Sequence, residues 1–113
     1  MKDTVLNRNS EASVSVRNRA PFRNKNRTML GYWVGSKNKR YVVLSYGVHF
    51  PMYIWEQGVW YKNVDRYSQT TTRHQRDADP GVHCARMTTG AMRRIMVDGV
   101  AGLAAIGPLG DDC

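Results

Sequence analysis

Residues 67–75 read YSQTTTRHQ, a run of hydroxyls, an imidazole, an amide and a guanidinium that bears on three kinds of chemistry. A serine or threonine nucleophile needs a base oriented by a third group. His74, His49 and His83 are the available bases, with Asp65, Asp77 or Asp79 to orient them. A His49/His74 pair with Tyr67 would suit acid–base cleavage of RNA. His74, His83, Cys84 and an aspartate lack the paired short spacings of zinc ligands, so neither a metal nor a cofactor is expected. Closeness along the chain is not catalytic geometry, and no residue is assigned a catalytic role.

The second chemistry is anion binding. A helix opening here would present free N–H groups and partial positive charge beside Ser68, the threonine hydroxyls, Arg66 and Arg73. The third is structural: Thr72-Arg73-His74-Gln75 fits a capping box, in which Thr72 takes one orphan N–H and Gln75 reaches back to another. Thr70 or Thr71 would serve equally well as the cap. On this reading Asn63 satisfies loop backbone, the Tyr67 ring packs under a turn, and His74 bonds a strand carbonyl to lock helix to sheet.

The elements that position this run follow from periodicity. Ten of the eleven aromatics fall between Tyr32 and Tyr67. LGYWVG (30–35) and RYVVLSYG (40–47) read as strands joined by the polar turn SKNK. MYIWE and VWYKN are two more, flanking the two-residue link Gln57-Gly58. The expected fold is α+β: a four-stranded antiparallel meander, a short helix, and a longer C-terminal helix packed on one face. That last helix starts at Thr88 or Thr89, carries Met92, Ile95, Met96, Val100, Leu103 and Ala104 at helical spacing, and stops at Gly107-Pro108, before a frayed LGDDC tail. Both sheet faces bear large apolar side chains, so each must be covered or one must be a binding surface.

Residues 1–28 hold seven lysines and arginines against two acids. They read as a flexible basic arm ahead of a single α+β domain at 29–113. An alternative lets Val14 and Val16 add an edge strand. The whole chain has 17 basic and 9 acidic residues, a formal charge of +8, which favours polyanionic partners. Arg17, Arg19, Arg23, Lys25, Arg27, Lys37, Lys39, Arg40, Arg66 and Arg73 are the expected contacts. Cys84 and Cys113 are too few for a secreted disulfide framework, and free thiols in a reducing cytosol are expected. No apolar stretch has the roughly 20 residues needed to cross a bilayer, and no membrane partner is expected.

Ser45-Tyr46-Gly47, Pro51, Trp60-Tyr61-x-Asn63, Tyr67-Ser68, Thr70-Thr71 and His74-Gln75 form a pattern, SYGxxxP followed by WYxNxxxYSxTTxxHQ. Over residues 40–76 it resembles small proteins and domains of unknown function from bacteriophages and related mobile elements. The resemblance implies a phage or prophage origin, a hairpin-plus-helix module and a bacterial host cytoplasm as the setting; it implies no particular activity. With the charge, it leads to a non-catalytic accessory protein that binds a host nucleic-acid-handling or anti-phage defence complex, a CRISPR effector included. On that reading Tyr46, Tyr67, Ser68, Thr71 and His74 form one exposed patch. The alternatives are direct DNA or RNA binding through the arm and an aromatic sheet face, and a small His-dependent ribonuclease.

Overall fold

Seven strands pair in the order in which they occur in the sequence, β1-β2-β3-β4-β5-β6-β7, in a computed structural model that describes residues 4–100. They are β1 (Thr4–Val5), β2 (Phe22–Arg23), β3 (Met29–Val34), β4 (Arg40–Ser45), β5 (Pro51–Glu56), β6 (Val59–Asn63) and β7 (Ala85–Met87). Three helices accompany them: α1 (Ala12–Arg17), α2 (Gln69–Asp77) and α3 (Thr89–Asp98). The class is α+β, and the expected four strands become seven. Consecutive pairs from β2 to β6 are antiparallel, whereas the two outermost pairs, β1 with β2 and β6 with β7, are parallel.

Parallel neighbours cannot be joined by a tight turn, so the chain crosses over the sheet at each end. α1 makes the first crossing and α2 the second. Both crossings join strands that point the same way and step in the same direction along the sheet. A common handedness therefore puts both helices on the same face. That face buries Val16, Phe22, Met29, Tyr41, Val43, Met52, Tyr53 and Ala78 together. α3 follows β7 back over the opposite face, where Met92 and Ile95 pack on Val42, Ile54 and Tyr61. Helices thus pack on both faces, leaving Tyr32, Trp33, Val34 and Trp55 partly buried. Among the described residues no helix is long and apolar enough to cross a membrane.

Residues 4–28 are not an arm but the first edge of the sheet. Their composition is polar, yet their few apolar residues are spaced to converge: Leu6, Ala12, Val16 and Phe22 are all buried in the core. Val14 and Val16 lie on α1, with Val16 inward and Val14 exposed. Phe22 sits directly across from Gly31, where any Cβ would collide with the Phe22 ring, so glycine is what allows the close approach. The aromatics tie the segment down further. Trp33 Nε1 donates to the Arg19 carbonyl at 3.0 Å and the Tyr41 hydroxyl to the Ala20 carbonyl at 2.6 Å. The Arg19 guanidinium lies 4.6 Å from the centre of the Trp55 ring.

α3 stops earlier than the expected helix. Its C-cap is Gly99, with φ +79°, and Leu103, Ala104, Gly107-Pro108 and Cys113 lie outside the described residues. A buried ion pair on the facing strands bonds this end of the helix. Arg40 and Glu56, cross-strand partners 3.6 Å apart at Nε and Oε1, both reach the helix end. Arg40 Nη1 donates to the Met96 carbonyl at 3.2 Å, and Glu56 Oε1 accepts from Val100 N at 2.9 Å. A cation at the negative end of a helix also complements its dipole.

The buried first edge has a measurable consequence. Phe22→Ala should lower the free energy of urea unfolding by about 3–5 kcal/mol, the range for emptying an aromatic core site. A free arm would predict no change.

Candidate nucleic-acid interface

Ser45, the last residue of β4, is completely buried and is the centre of a polar chain beneath α2. Its Oγ lies 3.1 Å from Thr71 Oγ1 and 2.9 Å from His74 Nδ1. A neutral imidazole satisfies this chain in either direction, since each hydroxyl has one proton to give and can accept another. His74 is only 2% exposed, and the Tyr46 ring stacks on it at 5.7 Å between centroids. Burial pushes the His74 pKa below its ordinary value, with Asp77 opposing the shift. The imidazole thus bonds a hydroxyl rather than the strand carbonyl expected for it.

The helix is capped by Ser68, whose Oγ accepts from Thr71 N at 3.1 Å. Thr72 is not the cap: its hydroxyl turns back to the Ser68 carbonyl. Gln75 does not close a capping box either. Its Nε2 spans to the carbonyls of Asn63 and Asp65, at 3.0 and 3.2 Å. Asn63 is itself a junction, donating to the Pro51 carbonyl and to Thr89 Oγ1, each at 3.0 Å, and accepting from Asp65 N. Asp65 in turn accepts from Thr89 N at 2.8 Å, so one polar network ties β5, β6, α2 and the start of α3. The expected single exposed patch therefore divides. Thr71 and His74 face inward, Asn63 and Gln75 hold loops, and Tyr46, Tyr67, Ser68 and Thr70 remain outside.

What α2 presents outward is cationic. Arg66, Tyr67, Ser68, Gln69, Thr72 and Arg73 line a groove at its N-terminal end. A second groove runs along the β6–β7 edge past Lys62, Arg66, Arg76 and Arg86, with Asp79 as its only acid among the described residues. The two share Arg66 and Thr72 and form one track. Lys62 and Arg86 are direct partners in the β6–β7 pairing. Among the described residues the salt bridges are Arg40–Glu56 and Arg94–Asp98, so no track cation is in one.

The other cations expected as contacts are scattered. Lys25 and Arg27 sit in the β2–β3 turn, at the same end of the sheet as Ser45, to which Tyr46 N is joined through the Thr28 carbonyl at 2.8 Å. Arg23 ends β2 nearby, its Nη1 3.4 Å from the Asn24 carbonyl. Lys37 and Lys39 lie in the β3–β4 turn at the opposite end. Arg17 Nε donates to the Pro80 carbonyl, and Arg19 covers Trp55. Arg40 is buried against Glu56 and is no surface contact. Lys62, Arg76 and Arg86, which sequence reasoning missed, are brought together by the β6–α2–β7 crossover.

The side chains able to do nucleophilic or acid–base chemistry are dispersed. Ser45 and His74 form a hydroxyl–imidazole pair, but both are sealed from solvent. His49 and His83 are exposed on separate loops. Burial, with Asp79 nearby, pushes the Cys84 thiol up to about 11, leaving little thiolate at neutral pH. No group of three His, Cys, Asp or Glu side chains among the described residues is placed to hold a metal ion. No protein-family model matches this chain, and no curated protein or solved structure matches it either.

The buried imidazole makes stability pH-dependent. The unfolded chain takes up a proton near pH 6.5 and the folded one only at lower pH, so stability rises with pH through that window. The midpoint of thermal unfolding should be flat above about pH 7 and fall as the pH drops below 6.5. His74→Ala should lose about 2–3 kcal/mol at neutral pH, through the orphaned hydroxyl chain and the cavity, and should flatten that slope.

Proposed function

We propose that this protein binds nucleic acid, without transforming it, through the cationic track along β6, α2 and β7. In the setting implied by the phage resemblance, it acts in the bacterial cytoplasm as a small accessory protein. Its target is the nucleic acid held by a host nucleic-acid-handling or anti-phage defence complex.

One observation carries the reading: Lys62 and Arg86 lie directly opposite each other on adjacent strands, with Arg66 and Arg76 on the same groove. Like charges in direct cross-strand register destabilise a sheet. Asp79, the one acid in the groove among the described residues, already accepts the Gly81 N–H. The cluster is unfavourable in the isolated protein and becomes favourable when phosphates replace the counterions around it. The ribonuclease reading has no such support, because His74 lies in the interior.

Anisotropy titrations of labelled oligonucleotides at several salt concentrations test this. Affinity should fall steeply with salt, and Arg76→Ala with Arg86→Ala should reduce the slope of log K against log salt by about 2. Lys37→Ala with Lys39→Ala, at the far end of the sheet, should leave it unchanged. No binding at low salt would refute the proposal.

A further inference from the structure

We infer that the nucleic acid bound here is single-stranded, and that Tyr67 is the platform on which one of its bases stacks. The inference rests on the nucleic-acid reading above and adds to it the type of strand.

Tyr67 is 68% exposed, an aromatic ring left in water at the mouth of the track between Arg66 and Arg73. It is not loose. One side leans on the buried Phe50 ring, with centroids 5.7 Å apart and planes at 30°. The other side is left open. Tyr46, on the neighbouring loop, repeats the design: it is 48% exposed and rests on His74. A ring held from behind by a buried partner loses little freedom when a ligand stacks on its front.

An exposed aromatic beside a line of cations is the combination that single strands use, phosphates following the charge and bases stacking on the rings. In a duplex the bases are already stacked on one another, and Tyr67 would have no open base face to meet. The two grooves are open clefts of about 530 and 420 Å³. Tyr67 also adjoins both Arg66, shared by the two grooves, and the Ser68 cap that fixes the start of α2. A base on this ring would therefore leave its phosphates within reach of the arginines.

The test uses four labelled probes of about 12 nucleotides, within the site sizes single-strand binders occupy: single-stranded DNA, single-stranded RNA, blunt duplex DNA and an abasic single strand. The full chain and its Tyr67→Ala and Tyr67→Phe variants are titrated with each. Tyr67 is exposed, so both variants should fold, which circular dichroism melts would check. The base-bearing single strands should bind at least about 10-fold more tightly than the duplex. Tyr67→Ala should weaken them about 10-fold while leaving the abasic strand unaffected, and Tyr67→Phe should restore binding to within about 2-fold. Equal affinity for duplex and single strand would overturn the inference while leaving the nucleic-acid reading intact. So would a Tyr67→Ala variant that binds every probe like the parent, or loses base-bearing and abasic strands equally. If no probe binds at low salt, both fall together.

Discussion

The Ser45 hydroxyl is the point on which the packing of α2 against the sheet depends. It is buried at the tip of β4 and is shared between Thr71 and His74 of α2. Burying three polar side chains under a helix is unfavourable unless each finds a partner, and here they find one another. Because Thr71, His74 and the C-cap Ala78 recur at helical spacing, satisfying the first two fixes the rotation of the whole helix. The residues between them, Arg73 and Arg76, are then necessarily turned outward. The surface charge of α2 is thus set by hydrogen bonds on its hidden side.

The sheet settles which surfaces the helices cover. Both faces are roofed, one by α1 and α2 and the other by α3. At one edge β6 is covered by the short parallel β7, whose three residues bring Arg86 beside Lys62. Charge is sorted by depth as a result. Arg40, in the interior, is paired with Glu56 and holds the end of α3, where an unpaired cation would be prohibitive. The track cations at the surface are solvated and tolerate one another, at a cost set by salt.

How much of this was legible in the sequence varied with element length. The strands from Met29 to Asn63 are long enough to show alternation, and they pair antiparallel in chain order. β1, β2 and β7 have two or three residues each, too few to display a period of two. The first 28 residues misled through their average: their polarity is real, but stability depends on where Leu6, Val16 and Phe22 fall, and composition does not record that. The helix start was ambiguous because Thr70, Thr71 and Thr72 are all good caps, and so is Ser68, which the sequence reading passed over. Tertiary structure chose among them, since Thr71 and His74 can both reach Ser45 only if the helix is already formed at Thr71.

The same contrast governs the site. Arg66 and Arg73 stood out because they flank a motif, whereas Lys62, Arg76 and Arg86 come from three elements and meet only through a parallel pairing that two short edges conceal. The aromatic residues had the opposite problem. They were visible as a group but not as individuals, because a tyrosine in a strand and a tyrosine on a rim read alike in sequence. Burial separates them: Tyr41 and Tyr53 are sealed in the core, their hydroxyls bonded to backbone carbonyls and their pKa values pushed up by desolvation. Tyr46 and Tyr67 stay in water with one side against a buried ring. Beneath Tyr46 lies His74, a member of the hydroxyl–imidazole chain that fixes α2, whereas beneath Tyr67 lies Phe50 of the apolar core, so one exposed ring is held by polar bonds and the other by packing.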